Sequence, residues 1–354
     1  MPDTPQTIAV VGTSVFAAFL AGLLAGHHSK DVVLIASVAS PHRLPRSISL
    51  SVAPVLRPET WQVAIAQWPE TRKLLARIGP EIVSRTDPVI AASGLEAETA
   101  LSHLRHLAAG FGFATEPVAP APGDGTNAIR MRDVEWIDHI WLSTYLPAWL
   151  ETTGVRSILP QVAQLSIKRD GSGRIEDRSV DCVILADDDA MIAHIAPEIL
   201  AEVAQTTSAL AVLSEPSPRQ SMAHVMRLDS ATSIYQQADG SLLCHALDPD
   251  GFGETRIANA FAASANTRQA ARVRYERLLS HDGAPLIGSM RQFRVWTMSA
   301  LGGLDLTLAP MLARFVAGVA SAEEMEWCVA RRPTRSFDRS SVAELALKAH
   351  ERAA

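Results

Sequence analysis

Three sets of residues have the types and spacing to do chemistry. The first is Gly12-Thr13-Ser14-Val15-Phe16-Ala17, which follows the apolar run Ile8–Val11. A strand that ends in a glycine turn and opens a helix aims unpaired backbone N–H groups at an anion. In its GxGxxG form that turn holds the pyrophosphate of a dinucleotide. Here the three positions are Gly12, Ser14 and Ala17. Gly12 keeps the tight turn and Ala17 is small enough for helix–strand packing, but Ser14 brings a Cβ into the space a phosphate would approach. An acidic residue is expected at the end of the next strand, to bind a ribose hydroxyl, and Ala36 and Ser37 stand there instead. A strand–helix–strand unit that binds no nucleotide therefore remains open. The second set is Asp187-Asp188-Asp189, which reads as a solvated N-cap for a helix over 190–195. The third is His103 and His106, one helical turn apart. No third ligand accompanies them, so a solvated helix face is the expectation rather than a metal.

The elements that must position these groups follow from hydrophobic period. From Ile8 to Gly26 there are nineteen residues without a charge, long enough for a membrane span. A signal peptide is disfavoured, because Met1–Thr7 carries Asp3 and no Lys or Arg. The period favours a β-branched strand over Ile8–Val11, a helix from Val15 to Ala25 and a second buried strand over Val32–Ala36, a βαβ unit with no membrane span. Downstream, helices are expected over Glu59–Ile78, with a break or kink at Pro69, over Glu96–Gly110 and over Val134–Thr153, ending at Gly154. Glu116–Gly125 (EPVAPAPGDG) reads as an exposed loop. Cys182–Ala186 is a buried strand. The stretch Ser208–Arg256 alternates with period two, as in an antiparallel sheet with one wet face. Ala309–Val319 is an apolar helix and Ser340–Ala354 a charged one. Trp136, Trp141 and Trp149 share no single helix face, which points to packing.

Composition sets the bounds. With 47% hydrophobic and 20% charged residues in 354, the chain can bury a large core and is not a disordered protein. The net charge of −6 counts against a free-standing nucleic-acid binder, and 5% aromatics against base-stacking platforms. Three cysteines without a CxxC pair fit a reducing, cytoplasmic setting.

The C-terminal third carries Asp282-Gly283-Ala284-Pro285-Leu286-Ile287-Gly288, then LGGLDLTLAP from Leu301 to Pro310, then Arg331-Arg332-Pro333-Thr334-Arg335-Ser336-Phe337. In this order, behind the N-terminal βαβ unit, the chain resembles the FAD-dependent D-amino-acid oxidase-like family, with glycine oxidase and sarcosine oxidase among its members. The last two stretches look most like the oxidase domain of the bifunctional enzyme that matures tRNA wobble uridines. The resemblance covers most of the chain and is thinnest over 55–127 and 208–274.

The resemblance implies an α/β fold: an FAD-binding, Rossmann-like domain over 1–54, 128–207 and 281–354. An interleaved α+β substrate domain on a mostly antiparallel sheet would span 55–127 and 208–280. It implies FAD near Gly12, Ser14, Ala17, Ala36, Ser37 and Ala186. Val162 would face the adenine, and Gly302 and Gly303 the isoalloxazine. Arg277 would hold a substrate carboxylate through its bidentate fork. A structural ion pair is an equal reading of Arg277. The implied activity is oxidation of a small amine or amino acid by hydride transfer to flavin, where the protein mainly positions the reactants. A tRNA-modifying role needs a charged partner that this acidic chain lacks. The chain also departs from the family. Where glycines are usual, Asp188 and Asp305 stand. A carboxylate about 5 Å from a phosphate charge costs about 3 kcal/mol at an effective dielectric near 20. Binding at a Kd of about 1 μM is worth only about 8 kcal/mol. The alternative implied by these departures is a non-catalytic subunit that has lost FAD and binds a protein partner or a second copy of itself.

Overall fold

A computed structural model of the chain describes residues 6–36, 44–119, 126–218, 222–262 and 268–344. The N-terminal βαβ unit forms as its period requires. Strand Thr7–Val11 lies at the centre of a six-stranded sheet, parallel to Asp31–Ile35 on one side and Cys182–Leu185 on the other. Arg156–Ile158 extends the first side, and Trp296–Ser299 then antiparallel Leu286–Ser289 extend the second. Both faces of this sheet are covered. Ile8 and Val10 pack into the helical layer, while Ala9 and Val11 pack against a small antiparallel sheet of Leu165–Ile167, Gly173–Ile175 and Arg178–Val180. That two-sided burial explains why these strands read as unbroken apolar runs.

The uncharged stretch therefore divides into strand, turn and helix. The helix Val15–His28 buries Phe16, Phe19, Leu20, Leu23 and Leu24 and stops at Ser29, which takes the left-handed conformation at φ 52°. Each fully buried Leu or Phe contributes about 1.5–3 kcal/mol. Among the described residues no single helix is long and apolar enough to cross a membrane.

Gly22 fixes how this helix meets His139–Thr153. A Cβ on Gly22 would lie 2.1 Å from the Trp149 ring. Gly22→Ala adds about 1 kcal/mol of helix propensity, yet it must displace an indole that also packs on Phe19 at 5.6 Å. Overpacking of that kind costs about 1–3 kcal/mol, here at the upper end. Gly22→Ala is expected to lower stability, and Trp149→Leu in the same chain to reverse the sign of its effect. Denaturant melts of the single and double variants check this. Equal effects in both backgrounds would refute the contact.

The second layer is an eight-stranded sheet ordered Gln269–Ser280, Ala204–Ser214, Leu242–Leu247, Thr232–Gln236, His224–Arg227, Val89–Ala92, Asn127–Met131 and Thr115–Val118. It is antiparallel except where His224–Arg227 runs parallel to Val89–Ala92. This sheet interleaves two distant stretches of chain. Residues 128–131 and 204–207, expected with the nucleotide-binding unit, pair within it.

Several local expectations need correction. Glu135–Ile137 is a strand paired with Ser49–Leu50 and Val83–Arg85, so the long helix starts only at His139. Asp138 caps it, accepting from Ile140 N at 2.8 Å and Trp141 N at 3.2 Å. The helix Pro58–Ile78 runs through Pro69 without a break. Residues 116–118, read as the start of a loop, belong to the edge strand Thr115–Val118, and 120–125 of that loop lie outside the described residues. The apolar helix begins at Asp305 and ends at Ala317, with Gly318 at φ 76°. Residues 340–344 form a turn rather than a helix, and 345–354 lie outside the described residues. Helices Gly253–Ala262 and Ala322–Ala330 were not foreseen. The C-terminal motifs fold onto one another: Arg335 donates to Asp282, Ala284 O and Pro285 O, tying RRPTRSF to DGAPLIG.

Candidate functional site

The carboxyl ends of Thr7–Val11, Cys182–Leu185 and Trp296–Ser299 converge, as ligand sites in such sheets do. The turn after the first strand is built as the motif predicts. Gly12 N donates to Ile35 O at 3.1 Å. A Cβ on Gly12 would meet Ala17 Cβ at 2.6 Å and an Asp187 carboxylate oxygen at 2.8 Å. Ala17 is buried beneath the turn, and Ser14 caps the helix by accepting from Ala17 N at 3.2 Å.

Two amides at this turn are taken. Asp187 Oδ2 accepts from Thr13 N at 2.6 Å and from Ser14 N at 2.8 Å, and Asp187 Oδ1 accepts from Ala190 N at 2.8 Å. Asp187 does cap the short helix Asp188–His194, as expected, and it is half-buried. Burial pushes its carboxyl above the ordinary range against the pull of the amides of Ala190 and Ser14. Its neighbours are engaged as well. Asp188 accepts from Leu278 N at 3.1 Å and Ala300 N at 3.0 Å, and lies 4.0 Å from Arg277 Nε. Burial raises its carboxyl too, opposed by Arg277. Asp189 accepts from Thr13 Oγ1 at 2.5 Å and pairs with Arg46.

A fourth carboxylate closes the other end. Asp305 begins the helix Asp305–Ala317 and accepts from Leu306 N at 2.8 Å, Ser49 Oγ at 2.5 Å and Ser47 Oγ at 3.4 Å. Because the Ser49 hydroxyl proton goes to Asp305, its oxygen accepts from His139 Nε2 at 2.8 Å. Burial holds His139 below its ordinary pKa.

Two cavities meet along this surface. The smaller, of about 130 Å³, is walled by Thr13, Ser14, Asp187, Asp188 and Asp305. The larger, of about 420 Å³, lies under the eight-stranded sheet and is bordered by Arg277, Tyr275, His245, Met226, Ser280 and Gly303. Arg46, Ser47, Tyr275, Arg277 and Gly302 border both. The Tyr275 hydroxyl donates to Arg46 O at 2.9 Å, so it accepts from His245 Nδ1 at 3.3 Å. His245 Nε2 is then a bare acceptor, buried and without a partner.

The structure thus brings Ser14, Ala186, Gly302, Asp305 and Arg277 to one cavity, with Gly12 in the turn behind it against Asp187. Ala17 lies beneath the turn, and Gly303 borders the larger cavity. A Cβ on Gly303 would meet Ile48 O at 2.7 Å, so packing also demands a glycine there. Ala36 is buried at its strand end, donating to Ile158 O, and offers no carboxylate. Val162 is 61% exposed and borders neither cavity. Ser37 lies outside the described residues. The residues not foreseen are Thr13, Arg46, Ser47, Ser49, His139, His245 and Tyr275. Thr13 had a signal, lying inside the Gly12–Ala17 turn, and so did Tyr275, which sits two residues before Arg277 on one strand and so shares its face. Among the described residues no three His, Cys, Asp or Glu gather as a metal site.

The dinucleotide implied by the resemblance would meet the Asp187 carboxylate at this turn. A diphosphate seated on the Thr13 and Ser14 amides would have to displace that carboxylate.

Solved structures share the fold over nearly the whole chain. Glycine oxidase from Bacillus cereus ATCC 14579 superposes with a TM-score of 0.68 at 12% identity, covering 93% of this chain and 99% of that one. L-proline dehydrogenase from P. horikoshii gives 0.69 at 12%, covering 94% and 98%. Fructosyl peptide oxidase from E. terrenum gives 0.72 at 13%, covering 96% and 95%. No protein-family model and no curated protein sequence matches the chain. The expected α/β architecture and the resemblance drawn from the C-terminal motifs are borne out as a shared fold.

Proposed function

We propose that this chain is a non-catalytic member of the amine and amino-acid oxidoreductase fold, one that works without bound flavin and keeps a cavity for a small carboxylate ligand. The observation that carries this reading is the Asp187 carboxylate seated on the Thr13 and Ser14 amides. Arg277, at the junction of the two cavities, supplies the cation for the ligand, with a bidentate fork suited to a carboxylate. The test is to purify the protein, record its visible spectrum and titrate FAD to about 100 μM, well above a typical micromolar Kd. A colourless protein that leaves flavin fluorescence unchanged is expected. A tightly held flavin that bleaches on adding glycine, sarcosine or L-proline would defeat the reading.

A second reading is an FAD-dependent oxidoreductase acting on a small amine or amino acid. Two observations favour it: the intact Gly12 turn, and the open space at Gly302, where an added Cβ would meet nothing within 4 Å. It predicts the opposite spectrum, and Arg277→Ala would then raise KM or abolish turnover. The partner-binding form of the first reading predicts a second subunit in the preparation, visible by mass in solution.

A further inference from the structure

We infer that the larger cavity takes a hydroxy carboxylate with an apolar body, its carboxylate on Arg277 and its hydroxyl donated to His245 Nε2. The inference rests on the reading of this cavity as a site for a small carboxylate, and it names the class of ligand. Sheet register places the two residues. Tyr275 and Arg277 alternate along Gln269–Ser280 and share one face, and Arg277 pairs with Thr207. Ala211, on the same face as Thr207, pairs with Val273 on one side and with His245 on the other. His245 therefore stands on the face that carries Arg277, and both border the cavity of about 420 Å³.

The two side chains ask for opposite partners. Arg277 is a donor: among the described residues its ion-pair partner is Asp188, 4.0 Å from Nε, which leaves the fork of the guanidinium for a carboxylate. His245 is an acceptor. Its Nδ1 proton goes to the Tyr275 hydroxyl, whose own proton goes to Arg46 O. Burial keeps the ring neutral, with a pKa pushed down to about 3. Nε2 is left without a partner on a residue only 9% exposed. A buried acceptor of that kind is unfavourable until a donor reaches it, and a ligand O–H supplies one. The rest of the wall includes Met226, Leu247, Leu279 and Leu301, which suit an apolar body. An ammonium is the poorer donor here, because Arg277 disfavours positive charge at His245. Among the described residues the carboxylate bordering this cavity is Glu344, which already accepts from Leu56 N, Arg57 N and Thr60 Oγ1.

Calorimetric titration of the full chain at neutral pH tests this, with probes that share one carbon skeleton. Hexanoate has no donor, 2-, 3- and 6-hydroxyhexanoate place a hydroxyl at different reach, and 2-aminohexanoate carries an ammonium. At least one hydroxy acid is expected to bind at least about tenfold more tightly than hexanoate, and 2-aminohexanoate more weakly than that hydroxy acid. His245→Phe keeps a ring and removes the acceptor, so the hydroxyl preference is expected to fall below about twofold while hexanoate binding is kept. His245→Gln retains an acceptor oxygen and is expected to keep part of the preference. Hydroxy acids no tighter than hexanoate, a preference that survives His245→Phe, or tightest binding of 2-aminohexanoate would each overturn the inference. The parent titrations decide the matter alone if neither variant folds. Arg277→Ala separates the two claims. Hexanoate binding that is lost in Arg277→Ala upholds the carboxylate cavity even where the hydroxyl adds nothing. Binding indifferent to Arg277, or no binding of any probe, removes the carboxylate reading and the inference with it.

Discussion

Asp282→Ala is expected to cost about 3–5 kcal/mol of stability, the toll of breaking a buried ion pair from one side. Asp282 and Arg335 have side chains only 2% and 8% exposed, with Arg335 Nη2 2.6 Å from Asp282 Oδ1 and Nε 2.8 Å from Oδ2. Burial pushes the Asp282 carboxyl up, but Arg335, Ser340 and the Ala284 amide more than offset it and hold it below its ordinary value. The sign follows: stability from this group is present above the unfolded carboxyl pKa and is lost as pH falls through the lower folded value. Alanine at 282 leaves the guanidinium buried without its counter-ion, still held by the carbonyls of Ala284 and Pro285. Replacing both residues with apolar ones of similar volume is expected to recover part of the loss. Urea unfolding of the single and double variants checks it. A loss under about 1 kcal/mol, the scale of an exposed pair, would show that the contact does not hold the C-terminal segment.

The second large effect is a loss of stability in mild acid. Burial pushes His224 down to about 4 and His245 to about 3. Arg277, His139 and His224 add to the shift of His245. Each has an Nε2 with no partner. Between the unfolded value of 6.5 and these folded values, the unfolded chain binds two protons that the native chain refuses, so stability falls as pH falls. For two sites the slope is about 3 kcal/mol per pH unit near pH 5. The buried carboxyls of Asp187 and Asp188 are raised, so they gain from acid and act in the opposite direction. The histidine contribution is therefore read as a difference. Melts from pH 7 to 5 are compared between the parent and the His224→Gln, His245→Gln double variant, whose slope is expected to be smaller by that amount. Parallel curves would remove the histidines as its cause.

The parts of the fold legible in the sequence were those set by local period. Ile8–Val11, the Gly12 turn and Val32–Ile35 became strand, turn and strand because apolar period and glycine punctuation agreed. Asp138 hid the strand before it, because a buried stretch with tryptophans reads as helix or strand alike until the cap is placed. The site was less legible. Asp187 was visible as an N-cap, and it is one. Its second engagement, with Thr13 and Ser14, spans more than 170 residues of sequence, and local pattern carries nothing over that distance. His245 and Ser49 enter the site for the same reason, from strands that only tertiary packing brings near Arg277 and Asp305.

The strand order of the six-stranded sheet bears on how the protein is made. During synthesis Thr7–Val11 waits for Cys182–Leu185, and that strand waits in turn for Trp296–Ser299. Until residue 299 has emerged, Cys-Val-Ile-Leu is an uncovered edge with every side chain apolar. Such an edge is a template for pairing with a neighbouring chain. Nascent chains stalled in the interval before the last two strands are the ones a chaperone would need to hold.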